Sequence, residues 1–252
     1  MKINDETRRK LRLMKIGEFI EALEIQEQDP HTIVLPFEER FQQLTDSVYQ
    51  QKYNDKVRRL IKSAKLRLPK ADVHDILYTD KRPLNRNEIN ALATDQYIDD
   101  CKSIVLQGYS SSGKTYLGCA LAKEACRQLH TTLYIRTPDL LSMHAEKLQS
   151  PGGREKLLRR FSIIDVLVLD EWLISELSKE DLDFLFELAE RRFDATSTIF
   201  CTLYKRDDWL KRLGGGAKAE SIIERYRYNA TWIETGATNM RQIYSKDESS
   251  MS

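Results

Sequence analysis

One eight-residue stretch, Gly108-Tyr109-Ser110-Ser111-Ser112-Gly113-Lys114-Thr115, constrains this chain more than any other feature of its 252 residues. It follows a short β-branched and apolar run, Ser103 to Gln107, and opens a helical stretch, Thr115 to Leu129. A G-x-x-x-x-G-K-[ST] pattern between a strand and a helix turns successive backbone N–H groups toward one point, with the positive end of the helix behind them. Such a cradle suits a chain of phosphates, so the expected ligand is ATP, held by the loop from Gly108 to Thr115. Lys114 then supplies a point charge near the β and γ groups, and Thr115 holds Mg²⁺.

The rest of the chain agrees with that start. From about residue 73, strand-like runs (Ser103 to Gln107, Thr132 to Arg136, Val166 to Leu169, Thr198 to Thr202, Thr231 to Glu234) alternate with helical stretches such as Thr115 to Leu129 and Lys179 to Phe193. That alternation predicts an α/β domain, a parallel sheet covered by helices on both faces, over 73–244. Residues 1–72 read instead as a small all-helical module. Leu11, Met14, Phe19 and Leu23 mark one helical stretch over 5–28. Phe37, Phe41, Leu44 and Val48 mark a second beginning at Pro36. The tail, 245–252, is expected to be disordered.

Composition narrows the class by exclusion. With 40 Lys+Arg against 39 Asp+Glu the chain has no overall basic coat. The longest run without a charged residue is 11 positions, Ser103 to Gly113, against the roughly 20 apolar residues a membrane span needs. With a charged N-terminus in place of a secretory signal, a cytoplasmic address is expected. Cys101, Cys119, Cys126 and Cys201 lack C-x-x-C spacing and read as reduced core residues, and the four histidines lack any metal-ligand spacing.

A second motif completes the first. Val166-Leu167-Val168-Leu169 ends at Asp170-Glu171, with Asp170 55 residues after Thr115. An acid at the end of a buried strand can hold Mg²⁺ through its water shell, and the next carboxylate can polarise an attacking water.

Several segments then carry a resemblance. Asp170-Glu171-Trp172-Leu173, Ala189 to Arg192 leading to Ser197 to Cys201, Asp208-Trp209, Ile222 to Arg225 and Gly236 to Arg241 resemble the IstB family of insertion-sequence helper ATPases, relatives of the DnaC helicase loaders in the AAA+ class of P-loop NTPases. The resemblance implies an AAA+ fold and an ATPase that assembles on DNA and serves an insertion-sequence transposase. It also implies that Arg225 reaches into a neighbouring subunit's nucleotide, that Arg241 is a second sensor on the C-terminal segment, and that the chains form a head-to-tail oligomer. Arginine suits both tasks through its fixed fork and permanent charge. Two positions depart from the family pattern. Ser111 stands where the loop commonly has a third glycine, and Leu203 beside Thr202 stands where the first sensor is usually Asn or Gln, leaving Thr202 to serve.

The near-neutral total conceals one basic run. From Lys52 to Lys70 there are eight Lys and Arg against Asp55, a net +7 over 19 residues. Lys52, Lys56, Arg58, Arg59, Lys62 and Lys65 are candidate contacts to the backbone of DNA, duplex being favoured. Tyr49 and Tyr53 adjoin them and are expected to pack in the core rather than stack on bases. A replicative helicase loader shares every one of these motifs and is the alternative reading. A small-molecule kinase and a DNA-binding switch that binds ATP without hydrolysis are more distant ones.

Overall fold

The computed structural model describes residues 3–243, so the expected disordered tail at 245–252 lies outside the described residues. Two compact units divide between Arg59 and Leu60.

The first unit holds α1 (Asp5–Leu13), α2 (Glu18–Gln28), α3 (Pro30–Ile33) and most of α4 (Phe37–Ser63). The helix expected over 5–28 is two helices. Lys15 adopts φ +58° and Gly17 sits at the start of α2, so the backbone turns between them. Ala22, Leu44 and Val48 are the buried centre of this unit, with Phe19 and Leu23 against them. Phe37 and Phe41, expected on the same apolar stripe, instead stack on each other at 5.8 Å and stay exposed. The core position expected for Tyr49 is likewise corrected, since that ring is 66% exposed and stacks on Tyr53.

The second unit begins before the boundary read from the sequence. Ala64, Leu66 and Ala71 belong to its core, together with Val73 and Ile76, because these small and apolar side chains are buried against the helix Lys114–Arg127 and the sheet rather than within a separate module. Two short helices, α5 (Arg86–Leu92) and α6 (Gln96–Asp99), lead to the sheet. Its strands are β1 (Ser103–Gln107), β2 (Thr132–Arg136), β3 (Val166–Trp172), β4 (Ser197–Thr202) and β5 (Ala230–Glu234). They run in the order β2-β3-β4-β1-β5, every pair parallel. The connections carry α7 (Lys114–Arg127), α8 (Thr137–Leu148), α9 (Gly153–Ser162), α10 (Lys179–Arg192), α11 (Trp209–Arg212) and α12 (Gly216–Tyr228).

Alternate residues of each strand enter different cores, as the period of two requires. Ile104, Leu106, Val168 and Cys201 face α7 and the segment before β1, whereas Val105, Leu167, Leu169 and Phe200 face α8 to α12. The sheet is therefore covered on both faces, and its strands read as continuous apolar runs for that reason. Cys119, Cys126 and Cys201 are free and buried, and Cys101 is free and half-buried. No helix among the described residues is long and apolar enough to cross a membrane. Because all strands are parallel, the loops after β1, β2, β3 and β4 emerge at one edge, and the motif residues meet there.

Candidate nucleotide site

The loop between β1 and α7 is shaped by two left-handed residues. Gly113 takes φ +93° as the residue before α7, and Ser111 takes φ +61°. An L-residue there costs on the order of 1–2 kcal/mol relative to glycine, so Ser111 holds this turn at an energetic cost. Segments from both ends of the second unit hold the loop. Arg82 donates to the Ser112 carbonyl at 3.0 Å, the Met240 amide donates to the Ser111 carbonyl at 2.9 Å, and the Ser112 and Thr235 hydroxyls pair at 2.6 Å. Lys114 extends back along the loop, its ammonium donating to the carbonyls of Gly108 at 2.8 Å and Tyr109 at 2.6 Å. Burial pulls its pKa down from the ordinary lysine value. Tyr109 and Ser110 are exposed at the rim.

The acid pair sits inside β3 rather than just after it. Leu169 pairs with Phe200 and Trp172 with Thr202, so Asp170 and Glu171 together oppose Cys201 in a β-bulge, with Glu171 at φ +55°. A bulge redirects one side chain out of the pleat, and here it separates the two carboxylates. Asp170 is 3% exposed and points back toward α7. Its Oδ2 accepts from the Thr115 hydroxyl at 2.8 Å and from the Tyr134 hydroxyl at 2.6 Å. Glu171 faces outward between two arginines, Arg136 at 2.6 Å and Arg67 at 3.5 Å. The hydrogen bond from Arg136, then the charge of Arg67, holds its carboxyl below the usual range, so it is a carboxylate at neutral pH.

Thr115 and Asp170 present hard oxygens 2.8 Å apart at the mouth of the phosphate loop. That donor set fits Mg²⁺, which takes one or two protein oxygens and completes its shell with phosphates and water. A charged glutamate beside it can accept a proton from water.

The other expected residues are placed as follows. Thr202 is buried, and its hydroxyl donates to the Trp172 carbonyl at 3.1 Å while accepting from the Tyr204 amide at 3.1 Å. Its one proton is thus committed to backbone, and Leu203 beside it is 41% exposed. Arg225 lies on α12, paired with Glu190 and donating to the Ser221 carbonyl at 2.6 Å, with its guanidinium 5.6 Å from the Phe186 ring. Arg241 is exposed, one residue beyond the Met240 amide that bonds the loop. Within the basic run, Lys56, Arg58, Arg59, Lys62 and Lys65 are exposed, and Lys52 is half-buried against Glu18 at 3.3 Å. Asp55 accepts from the Arg58 guanidinium. Three site residues were absent from the sequence reading: Arg67, Tyr134 and Arg136. Arg67 is hidden within the basic run. The only signal for Tyr134 and Arg136 is that they lie at the carboxyl end of β2, beside β3.

A model of the IstB-like ATP binding proteins matches residues 8–248. The insertion sequence IS1162 ATP-binding protein of Pseudomonas fluorescens is 32% identical over 197 residues, which cover 78% of this chain and 85% of that one. The replicative helicase loader DnaC of Escherichia coli K12 is 26% identical over 172 residues, 60% of this chain and 68% of that one. Among solved structures, the DnaC helicase loader superposes with a TM-score of 0.56 at 19% identity, covering 66% of this chain and 96% of that chain. The replication initiator DnaA bound to AMPPCP and single-stranded DNA superposes at 0.58 and 16% identity, covering 72% and 55%. At these identities the likeness is one of fold, that of the AAA+ domains.

Proposed function

This chain belongs to the family of IstB-like ATP-binding proteins, and from that premise we propose that it is the ATP-hydrolysing, DNA-binding helper of an insertion-sequence transposase, acting in the cytoplasm. The observation that carries the hydrolytic part is the joining of the phosphate loop to the acid pair through the Thr115–Asp170 bond, with Glu171 turned outward as a separate carboxylate. In this reading, the loop amides and Lys114 bind the phosphates and Thr115 and Asp170 hold Mg²⁺. Bound there, Mg²⁺ would neutralise phosphate charge. Glu171 accepts a proton from the attacking water once its carboxylate is clear of the two arginines. Ile76, Leu77, Tyr116 and Met240 line a small apolar notch beside Gly113 that offers contact to the base.

Arg225, held in its own chain by Glu190, completes a neighbour's site on head-to-tail assembly, and Arg241 approaches the same chain's phosphates from the C-terminal segment. Lys52, Lys56, Arg58, Arg59, Lys62 and Lys65 contact DNA phosphates, so affinity falls with salt and carries little base preference. The insertion-sequence relatives favour transposition over helicase loading.

Fluorescence anisotropy of labelled duplex and single-stranded DNA, with and without ATP·Mg²⁺ and with Lys114→Ala as control, tests the reading. Cooperative, ATP-dependent binding that prefers duplex and is lost in the control supports it. A preference for single strands transfers the assignment to helicase loading, and no binding to either form refutes both.

A further inference from the structure

Asp170 Oδ2 accepts two hydroxyls at once, from Thr115 at 2.8 Å and Tyr134 at 2.6 Å. Tyr134 is 8% exposed in β2. The bonds have a direction. The Tyr134 hydroxyl carries one proton, and that proton goes to the Asp170 carboxylate oxygen, which can only accept. Asp170 has only lone pairs to give, so the Thr115 proton also goes to Asp170, which leaves the threonine lone pairs to face the mouth of the phosphate loop.

We propose that Tyr134 is a positioning residue for Mg²⁺: by fixing Oδ2 of Asp170 it orients the Thr115 hydroxyl so that an oxygen lone pair, not a proton, meets the cation. This rests on the nucleotide reading above and adds a residue to it. A ligand whose orienting partner is lost binds its metal roughly 10–100-fold more weakly, even with every direct ligand present. The burial of Tyr134 suits that role, because a hydroxyl shielded from water has no competing partner.

The test is titration of full-length wild type and Tyr134→Phe with a fluorescent N-methylanthraniloyl ATP analogue, in EDTA and then at rising Mg²⁺. Phenylalanine keeps the ring and removes one hydroxyl. The affinities in EDTA are expected to agree within about twofold, while the Mg²⁺ concentration for half-maximal enhancement rises at least about tenfold in the variant. In an Asp170→Asn background the same substitution is expected to add nothing, because its effect passes through that carboxylate. A Mg²⁺ dependence identical to wild type overturns the proposal. So does a loss of affinity equal in EDTA and in Mg²⁺, which marks a purely structural hydroxyl, or a shift undiminished in Asp170→Asn. Wild type that binds no analogue under any condition overturns the nucleotide reading as well, which keeps the two failures distinct.

Discussion

Replacing Glu171 with glutamine separates what the acid pair does for the fold from what it does for chemistry. In the fold, Glu171 makes two ion pairs, with Arg136 and Arg67, whose side chains are 41% and 47% exposed against 26% for the glutamate. Pairs this open to water contribute about 0–1 kcal/mol each, and a glutamine oxygen still accepts one hydrogen bond from Arg136. The left-handed backbone at φ +55° is unaffected, since Gln carries the same Cβ. The expected loss of stability is therefore no more than about 1 kcal/mol. The chemical loss is larger, because an amide cannot take the proton of the attacking water. Removing a general base costs about 10²–10⁴-fold in rate, or about 2.7–5.4 kcal/mol in barrier. Phosphate release under single-turnover conditions, paired with urea melts and nucleotide titration, reads the three quantities separately. Hydrolysis down by two orders of magnitude or more, with binding and stability nearly intact, is the expected pattern. Phosphate release within threefold of wild type refutes the assignment and leaves Glu171 as a clamp for two arginines in a protein that binds ATP as a switch.

Ser111→Gly relieves the left-handed strain at φ +61° and is expected to raise stability by up to about 1 kcal/mol in thermal melts, the gain being reduced by the extra freedom of glycine in the unfolded chain. Arg192, 2% exposed, donates to the carbonyls of Phe161 and Ile164 and bonds the Thr198 hydroxyl. Arg192→Met strands these acceptors and is expected to cost about 3–5 kcal/mol in urea unfolding. His144 is 1% exposed, and burial lowers its pKa below 6.5 despite Asp181 nearby. The unfolded chain therefore binds the proton first as pH falls, and stability drops from about pH 6.5 toward the lower folded pKa. His144→Gln should show a smaller stability difference between pH 7.5 and pH 5.5 than wild type.

The parts of the site legible in the sequence are those whose chemistry depends on contiguous residues. The phosphate loop is one continuous turn, and its backbone demands glycine and lysine at fixed spacing. The strand before Asp170 is buried on both faces and so reads as unbroken aliphatic residues, and parallel alternation brings its carboxyl end to the loop. What was not legible is what the fold assembles from afar. Arg67 looked like one more cation in a basic run. Only the packing of Ala64, Leu66 and Ala71 into the second unit, which also moves the domain boundary, explains its place beside Glu171. Tyr134 and Arg136 belong to a strand whose pattern reports burial and says nothing of which neighbour it lies beside. The bulge is hidden for a similar reason, since a non-glycine residue at positive φ leaves no compositional trace. Thr202 shows the converse: position suggested a sensor, yet its proton is spent on the Trp172 carbonyl.

Every role assigned to the acid pair and the arginines depends on the loop from Gly108 to Thr115 binding ATP through Lys114 and the backbone donors around it. Calorimetric titration of ATP·Mg²⁺ into the protein, beside Lys114→Ala, measures that binding. One nucleotide per chain is expected for wild type, with an affinity at least about tenfold weaker in the variant, a loss of about 1.4 kcal/mol or more. Equal affinity in the two proteins, or no binding by wild type, would contradict it.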